Sequence, residues 1–115
     1  MSEEKQLLRY VKDGSEEAFA EIVRRHMNFV YSVCRRSLGD AELANDVTQA
    51  VFLLLAEKAK TLGPGTILTS WLFRTAHFAC RNAAKTEFRR RYYERKAVDE
   101  MLRSAETIDP VWHDI

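Results

Sequence analysis

Apolar residues along this chain recur at intervals of three and four positions, which is the period of an amphipathic α-helix. No stretch alternates apolar and polar residues for long enough to indicate a β-strand. The residues that interrupt helices are few: Gly14, Gly39, the Gly63-Pro64-Gly65 cluster and Pro110. The pattern therefore predicts an all-α fold, a compact bundle of about four helices with a long basic helix at its C-terminal end.

The first part of the chain predicts two helices separated by Asp13-Gly14. The first runs from about Glu3 to Lys12, and its apolar face comprises Leu7, Leu8 and Val11. The second begins after Ser15, a good N-cap, and ends at Gly39, the C-cap candidate. Its periodic positions predict a core stripe made of Phe19, Ile22, Val23, Met27, Val30, Tyr31, Cys34 and Leu38.

A third helix is predicted from the N-cap Asp40 to about Lys60. Its core arc comprises Leu43, Val47, Val51, Leu54 and Leu55, with Phe52 on the flank. The opposite arc carries Glu42, Asp46, Gln49, Leu53 and Ala56. An acidic, amide and leucine stripe that faces away from the core is either plain surface or a docking face for helices of another protein.

The fourth helix is predicted to follow a loop over Thr61–Thr69, with Thr69 or Ser70 as its cap, and to continue to about Ala97. The tail from Val98 is acidic, and Asp109-Pro110 is expected to break any helix there. Trp112 has no local core, so it is either disordered or the anchor of an intermolecular contact.

The two sides of this fourth helix differ in chemistry. One side is apolar and mostly small, with Leu72, Ala76, Ala79 and Ala83. The other side carries Arg74, His77, Arg81, Lys85, Phe88 and Tyr92, and the run Arg89–Arg91 follows on the same helix. Cations interleaved with aromatic rings suit a polyanion with unstacked bases, although a solvated helix face has the same appearance.

Positive charge is concentrated in this helix although the whole chain has a formal net charge of only +1. Residues 71–96 carry 8 basic and 2 acidic groups, whereas residues 97–115 carry 1 and 5. A local patch of this kind can bind phosphates even on a nearly neutral molecule.

Other kinds of site are not predicted. His26 is expected at the edge of the core, and no histidine has metal-ligand spacing with Cys34 or Cys80. The sequence has no phosphate-binding GxxxxGK[ST] loop and no nucleophile motif, so it predicts no enzyme, no metal and no cofactor. Two unpaired cysteines, no long apolar run and no signal peptide predict a soluble cytoplasmic protein without disulfides or membrane insertion.

Two short motifs are specific when they are taken together with the order of the helices. The third helix contains Asp46-x-x-Gln49-x-x-Phe52, and the fourth opens with Trp71-Leu72-Phe73-Arg74. In this order and spacing the chain resembles region 2, the second conserved domain, of bacterial sigma factors of the extracytoplasmic-function (ECF) group. The resemblance covers roughly residues 5–97 and implies the helical bundle of that domain.

The resemblance implies a protein partner for the third helix. In the family, the DxxQxxF helix docks on the clamp-helix coiled coil of the largest subunit of the RNA polymerase core. Asp46 and Gln49 would be the polar contacts, and Leu53 and Ala56 would extend the same face. Phe52 would be mainly a core residue.

The resemblance also implies promoter DNA as a ligand. The loop before the last helix, here Thr61–Ser70, would hold non-template-strand bases of the −10 element, and the last helix would read and open that element. The DNA-binding residues would be Thr69, Ser70, Trp71, Arg74, His77, Phe78, Arg81 and Lys85, with Arg89, Arg90 and Arg91 near phosphates. Family members often carry arginine and asparagine at the positions of His77 and Phe78.

The resemblance gives a domain over 1–97 and an acidic tail or linker over 98–115, towards a region 4 domain that this chain lacks. An anti-sigma factor is a further candidate partner. One alternative is a basic helical protein-interaction module that binds an acidic regulator and opens no DNA. Another is a helical RNA-binding bundle, which would have no use for Asp46 or Gln49.

Overall fold

The computed structural model describes residues 3–63 and 65–113, with side chains described for 5–63 and 65–105. The helices are α1 (Glu3–Asp13), α2 (Glu16–Leu38), α3 (Ala41–Lys58) and α4 (Leu68–His113), and a short 3-10 helix, Ala59–Thr61, follows α3. Residues 3–63 and 65–113 contain no strand. The predicted all-α fold of about four helices is therefore confirmed.

The predicted caps of α2 and α3 are present. The Ala18 N–H donates to the Ser15 hydroxyl at 3.2 Å, and the Leu43 N–H donates to the Asp40 carboxylate at 3.1 Å. Gly39 ends α2 in the left-handed conformation, with φ of 69°. A residue with a Cβ atom is strained at such an angle, which is why glycine suits this position.

Two predicted boundaries of the last helix are wrong. Helix α4 begins at Leu68, so Thr69 and Ser70 lie inside it, and the Trp71 N–H already donates to the Ile67 carbonyl at 3.1 Å. The buried Leu68 side chain belongs to the core and holds this first turn in place. Helix α4 also continues past Ala97 and through Pro110, whose ring fixes φ at a value that a helix accepts.

The chain divides into two compact units, and the core lies in the first, Met1–Ala83. Ile22, Val30 and Cys34 of α2 are buried together with Val51 and Leu55 of α3. From α4, the core cluster receives Leu72, Ala76 and Cys80, and Ala79 and Ala83 pack partly against it. The predicted small apolar face of α4 is therefore its packed face.

The core differs from the predicted stripes at a few positions. Met27 is 46% exposed and Leu8 is 51% exposed, although the spacing predicts both on apolar faces. Ala44 and Thr48 are buried in α3, and the Thr48 hydroxyl donates to the Ala44 carbonyl at 2.7 Å. Phe52, which the helical spacing places on the flank and the resemblance places in the core, is 6% exposed and belongs to the core.

The second unit, Ala84–Ile115, contains the rest of α4. Apart from the partly buried Glu87, its described side chains, which extend to residue 105, are exposed. The side chain of Trp112 lies outside the described residues. None of the described helices is both long and apolar enough to span a bilayer. The division into a domain over 1–97 and a tail over 98–115 stays a prediction.

Candidate functional site

The basic side of α4 within the first unit is exposed. Arg74, His77 and Arg81 point away from the face that buries Leu72 and Ala76. Among the residues that the structure describes, neither Arg74 nor Arg81 pairs with a carboxylate. Both guanidinium groups therefore remain available for phosphate oxygens, which accept hydrogen bonds from arginine strongly.

An aromatic cluster lies beside these cations. The rings of Phe73 and His77 meet edge to face with centroids 4.4 Å apart, and Phe29 of α2 stacks on Phe73 at 6.2 Å. Phe29 is 37% and Phe73 is 44% exposed. Neither is among the predicted site residues. The i, i+4 spacing of Phe73 and His77 is a usable signal, whereas the position of Phe29 depends on the packing of α2 against α4.

The remaining predicted DNA-binding residues of the first unit differ in exposure. Phe78 is 66% exposed, and Thr69 and Ser70 are also exposed. Trp71 is half-buried and packs against the core cluster, so much of its ring serves the fold.

The loop before α4 is partly described, since Pro64 lies outside the described residues. The Thr66 N–H donates to the Gly63 carbonyl at 3.0 Å, which closes a turn. Leu68 is buried while its neighbour Ile67 is 69% exposed. A largely apolar cleft of about 470 Å³ separates this loop from α1, with Leu8 and Val11 on the α1 side and Ile67 on the other.

The arginine run lies in the second unit and is partly neutralised. Arg90 bonds Glu87 and also Glu94, the latter at 2.6 Å, and Arg91 bonds Glu87 at 3.2 Å. The hydrogen bond from Arg90 is the main cause that lowers the pKa of Glu87. In return, Glu87 is the main cause that raises the pKa of Arg90. Contacts between Arg89–Arg91 and phosphates stay a prediction.

Lys85 and Arg89 of the same unit are exposed, and neither pairs with an acidic side chain among the described residues. Among the predicted site residues of the second unit, the available cations are therefore these two rather than Arg90 and Arg91.

The acidic, amide and leucine stripe of α3 is mostly exposed to solvent. Asp46 and Gln49 are exposed, and Leu53 is 71% exposed. Ala56 is partly covered, and its carbonyl accepts a hydrogen bond of 3.5 Å from the Tyr10 hydroxyl. A large aliphatic side chain left in water beside a carboxylate and an amide suits a protein partner better than plain surface does.

The two cysteines lie in the core as free thiols. Burial is the main cause that raises the pKa of Cys80 to about 12, and a hydrogen bond with Cys34 adds to it. A thiol with so high a pKa is a poor nucleophile near neutral pH. The part of the chain that the structure describes holds no cluster of histidine, cysteine or carboxylate side chains suited to a metal ion.

Comparison with known families shows which family the chain belongs to. The sequence pattern described as Sigma-70 region 2 matches residues 22–92. The chain belongs to this sigma factor family. The matched range contains the α3 stripe and the basic side of α4 up to Tyr92.

Two curated relatives are sigma factors by name. The ECF RNA polymerase sigma factor SigW of Bacillus subtilis (strain 168) is 31% identical over 72 residues, which are 63% of this chain and 38% of SigW. The RNA polymerase sigma factor CarQ of Myxococcus xanthus is 32% identical over 74 residues, which are 64% of this chain and 42% of CarQ. This region 2 chain thus matches less than half the length of either relative.

A solved structure supports the fold independently. An NMR structure of an engineered region 2 of sigmaE, in complex with GTAAAA, is similar with a TM-score of 0.72 and 23% identity. The similarity covers 78% of this chain and 93% of that one. The helices of the first unit therefore have the region 2 fold.

Proposed function

We propose that this chain is a transcription initiation domain that docks on the clamp helices of RNA polymerase and recognises and melts the −10 element of a promoter. The proposal rests on Arg74 and Arg81, which are exposed and pair with no carboxylate among the described residues, on a helix whose opposite face is buried. Membership of the Sigma-70 region 2 family supports the same function. The domain would act in the cytoplasm.

The docking surface would be the α3 stripe. Asp46 and Gln49 would supply hydrogen bonds to the clamp helices, and Leu53 and Ala56 would supply apolar contact. Phe52 is buried and would hold the stripe in place from beneath rather than touch the polymerase. Polar groups at the edge of an apolar contact fix its register, which is how such a stripe would orient the domain.

Promoter melting would use binding energy only. Separating stacked bases costs a few kcal/mol per step, and stacking one base on an aromatic side chain returns about 1–3 kcal/mol. Arg74 and Arg81 would hold phosphates without reading sequence, while His77 and Phe78 would face bases. No covalent bond changes in this domain, so the chemistry of RNA synthesis belongs to the polymerase core.

The relative with a solved structure supports a short nucleic acid as the ligand. The engineered region 2 of sigmaE is in complex with GTAAAA, and its fold matches this chain. By analogy, a single-stranded hexamer is a suitable probe for the first unit of this chain.

Binding to an isolated clamp-helix fragment tests the docking step. We expect wild-type binding to be lost or reduced at least about tenfold in Asp46→Ala and in Gln49→Ala, with unchanged helical content. Asp99→Ala, which removes an exposed carboxylate from the second unit, is the matched control and should bind like wild type. Absence of wild-type binding at micromolar concentrations would exclude the docking function.

A second candidate uses the same cations. An acidic regulator, such as an anti-sigma factor, would pair with Arg74 and Arg81 and would cover the nucleic-acid surface. This candidate predicts that substituting both arginines weakens binding of the chain to the acidic protein. It alone also predicts that the chain binds no single-stranded DNA, whatever the DNA sequence.

A further inference from the structure

One face of α4 in the second unit has the spacing of a coiled-coil seam. Its positions recur at alternating intervals of four and three residues, which places them on one side of a helix. We call this face the α4 seam, and it comprises Ala84, Phe88, Arg91, Arg95, Val98, Leu102 and Ala105. All of these side chains are exposed, with Phe88 at 72%, Val98 at 53% and Leu102 at 58%. The seam therefore leaves three large apolar side chains in water.

A helix of this length gains from a partner along such a face. The part of α4 from Ala84 to His113 is about 45 Å long. Most of the stability of a helix in a protein comes from packing an amphipathic face rather than from the helix itself. Contiguous exposed apolar side chains rimmed by polar ones are typical of interaction surfaces. The α4 seam is thus a candidate surface for a second helix.

The charge of this segment is divided between its two ends. Residues 84–96, the basic half, carry six basic and two acidic side chains, whereas residues 97–115 carry one and five. Among the residues that the structure describes, Arg95 and Lys96 pair with no carboxylate and Asp99 pairs with no cation. Unpaired charges of both signs are therefore present on one helix, and we call the part from residue 97 the acidic half.

A helix divided in this way is complementary to a second copy of itself in one orientation only. In a parallel pair, each basic half would lie beside the other basic half, and the like charges would repel. In an antiparallel pair, each basic half lies beside an acidic half, and the helix dipoles also oppose. We propose that a second copy of this chain packs antiparallel along the α4 seam, so that the chain forms a homodimer through its second unit.

The seam residues fit this arrangement in size and in charge. Antiparallel packing in coiled-coil register places Phe88 of one copy across from the small Ala105 of the other. It likewise places the Arg95 stem across from Val98, and Asp99 follows Val98 at the edge of the seam. Long arginine stems cover apolar surface while their charged ends reach outwards. Each arginine of the seam thus contributes aliphatic contact and a charge that an acidic half accepts.

Nucleic acid is a poorer occupant of the whole seam. A phosphate backbone would follow the basic half and would then meet Asp99 and Glu100, which are both exposed. An acidic protein would meet the same repulsion over the acidic half. Only a partner that is itself acidic at one end and basic at the other satisfies both halves, and a second copy of this chain meets that requirement.

The first test compares two exposed aromatic rings. Sedimentation equilibrium of the full chain under reducing conditions, from about 1 to 200 µM, measures the dimer dissociation constant, which we expect to lie below about 100 µM. Phe88→Ser removes a ring from the seam, and Tyr93→Ser removes a ring that is 64% exposed on the other side of the same helix. We expect Phe88→Ser to weaken dimerisation at least about tenfold and Tyr93→Ser to stay within about threefold of wild type.

The second test reverses the charge of each half. The double variant Arg91→Glu and Arg95→Glu makes both halves acidic, and the double variant Asp99→Lys and Glu100→Lys makes both halves basic. We expect neither variant to form a dimer with itself at concentrations where wild type does. An equimolar mixture of the two should form a heterodimer, because every half then faces the opposite charge.

A third variant should strengthen the dimer. A charged residue in a coiled-coil seam costs stability even where it fixes register. Arg95→Leu should therefore tighten dimerisation at least about threefold, which damage to the fold cannot imitate. Far-UV circular dichroism accompanies every variant, so that loss of association is attributed to the seam only where helical content is unchanged.

Three outcomes would overturn the proposal. A wild-type chain that stays monomeric up to about 200 µM would exclude the homodimer, and the seam would then belong to another partner. A wild-type dimer that Phe88→Ser leaves intact would place the contact elsewhere on the chain. Folded charge variants that do not associate when mixed would exclude the pairing of basic with acidic halves.

Discussion

The ring of Phe73 lies edge to face against the ring of His77, with centroids 4.4 Å apart and an interplanar angle of 71°. The two residues are one helical turn apart on α4, and Phe29 of α2 stacks on Phe73. The contact restricts where the imidazole of His77 can point. A ring that is already positioned loses less conformational entropy when a base stacks on it.

Replacing Phe73 by leucine should therefore weaken binding to nucleic acid while the apolar bulk is kept. Aromatic pairs contribute about 0.5–1.5 kcal/mol beyond burial, so the affinity for a single-stranded oligonucleotide containing GTAAAA should fall about two- to tenfold. Fluorescence anisotropy measures the change. Tyr93→Leu is the matched control, because Tyr93 is an exposed ring in an edge contact with Tyr92 in the second unit. Equal affinity of Phe73→Leu and wild type would show that the position of His77 does not matter.

Removing the negative charge of Glu87 should strengthen binding to nucleic acid. Glu87→Gln frees Arg91 and leaves Arg90 with Glu94 only. Each additional arginine that binds a phosphate makes the slope of log affinity against log salt steeper by about 0.7 for single strands. Glu100→Gln changes the net charge equally at an exposed position and is the control. If both variants shift the slope alike, the ion pairs do not limit Arg90 and Arg91.

Stability should fall in alkaline solution because of Cys80. In the unfolded chain the thiol loses its proton near its ordinary pKa of 9.0, whereas the folded chain holds it to about 12. Between these two pH values the folded state therefore binds more protons than the unfolded state does. The contribution of the thiol to the free energy of unfolding is fully present below pH 9 and is lost as the pH rises towards 12. The limiting slope for one proton is about 1.4 kcal/mol per pH unit.

Urea unfolding under reducing conditions from pH 8 to pH 10 measures how the free energy of unfolding depends on pH. Cys80→Ala keeps Cys34 and removes the thiol, so its pH dependence should be shallower, whatever its absolute stability. Parallel curves for the variant and wild type would contradict a raised pKa at Cys80.

Enlarging the packed face of α4 should destabilise the first unit. Ala76 is fully buried in the core cluster, so Ala76→Leu must displace its neighbours. Overpacking of this kind costs about 1–3 kcal/mol of the free energy of unfolding. Ala84→Leu, at an exposed position on the same helix, should leave the free energy of unfolding nearly unchanged. Chemical denaturation of both variants measures the difference.

Local sequence patterns predict much of the fold. Ser15, Gly39 and Asp40 are recognisable as caps because capping depends on a residue and its immediate neighbours. Helical spacing alone places Ile22, Val51 and Leu72 in the core. The ion pairs of Glu87 with Arg90 and Arg91 can also be predicted from their spacing of three and four positions. The net charge of the segment does not show that these arginines are paired.

Features that depend on how helices pack cannot be predicted in this way. Met27 is 46% exposed although the spacing places it on the core stripe of α2, because periodicity assigns a face without giving its width. The stacking of Phe29 on Phe73 joins residues far apart in sequence. Helix α4 passes Pro110 because a single missing hydrogen bond does not outweigh the rest of a long helix.

The two faces of α4 separate the packing of this domain from the chemistry of its outer surface. Arg74, His77 and Arg81 are exposed and lie outside the core cluster, while Leu72, Ala76 and Cys80 anchor the helix. Substitutions on the outer face leave the packing intact, so the chemistry of that face can change without an unfolded variant in between. His77, which is proposed to face bases, can therefore be replaced to alter the recognised sequence while Arg74 and Arg81 keep their proposed phosphate contacts.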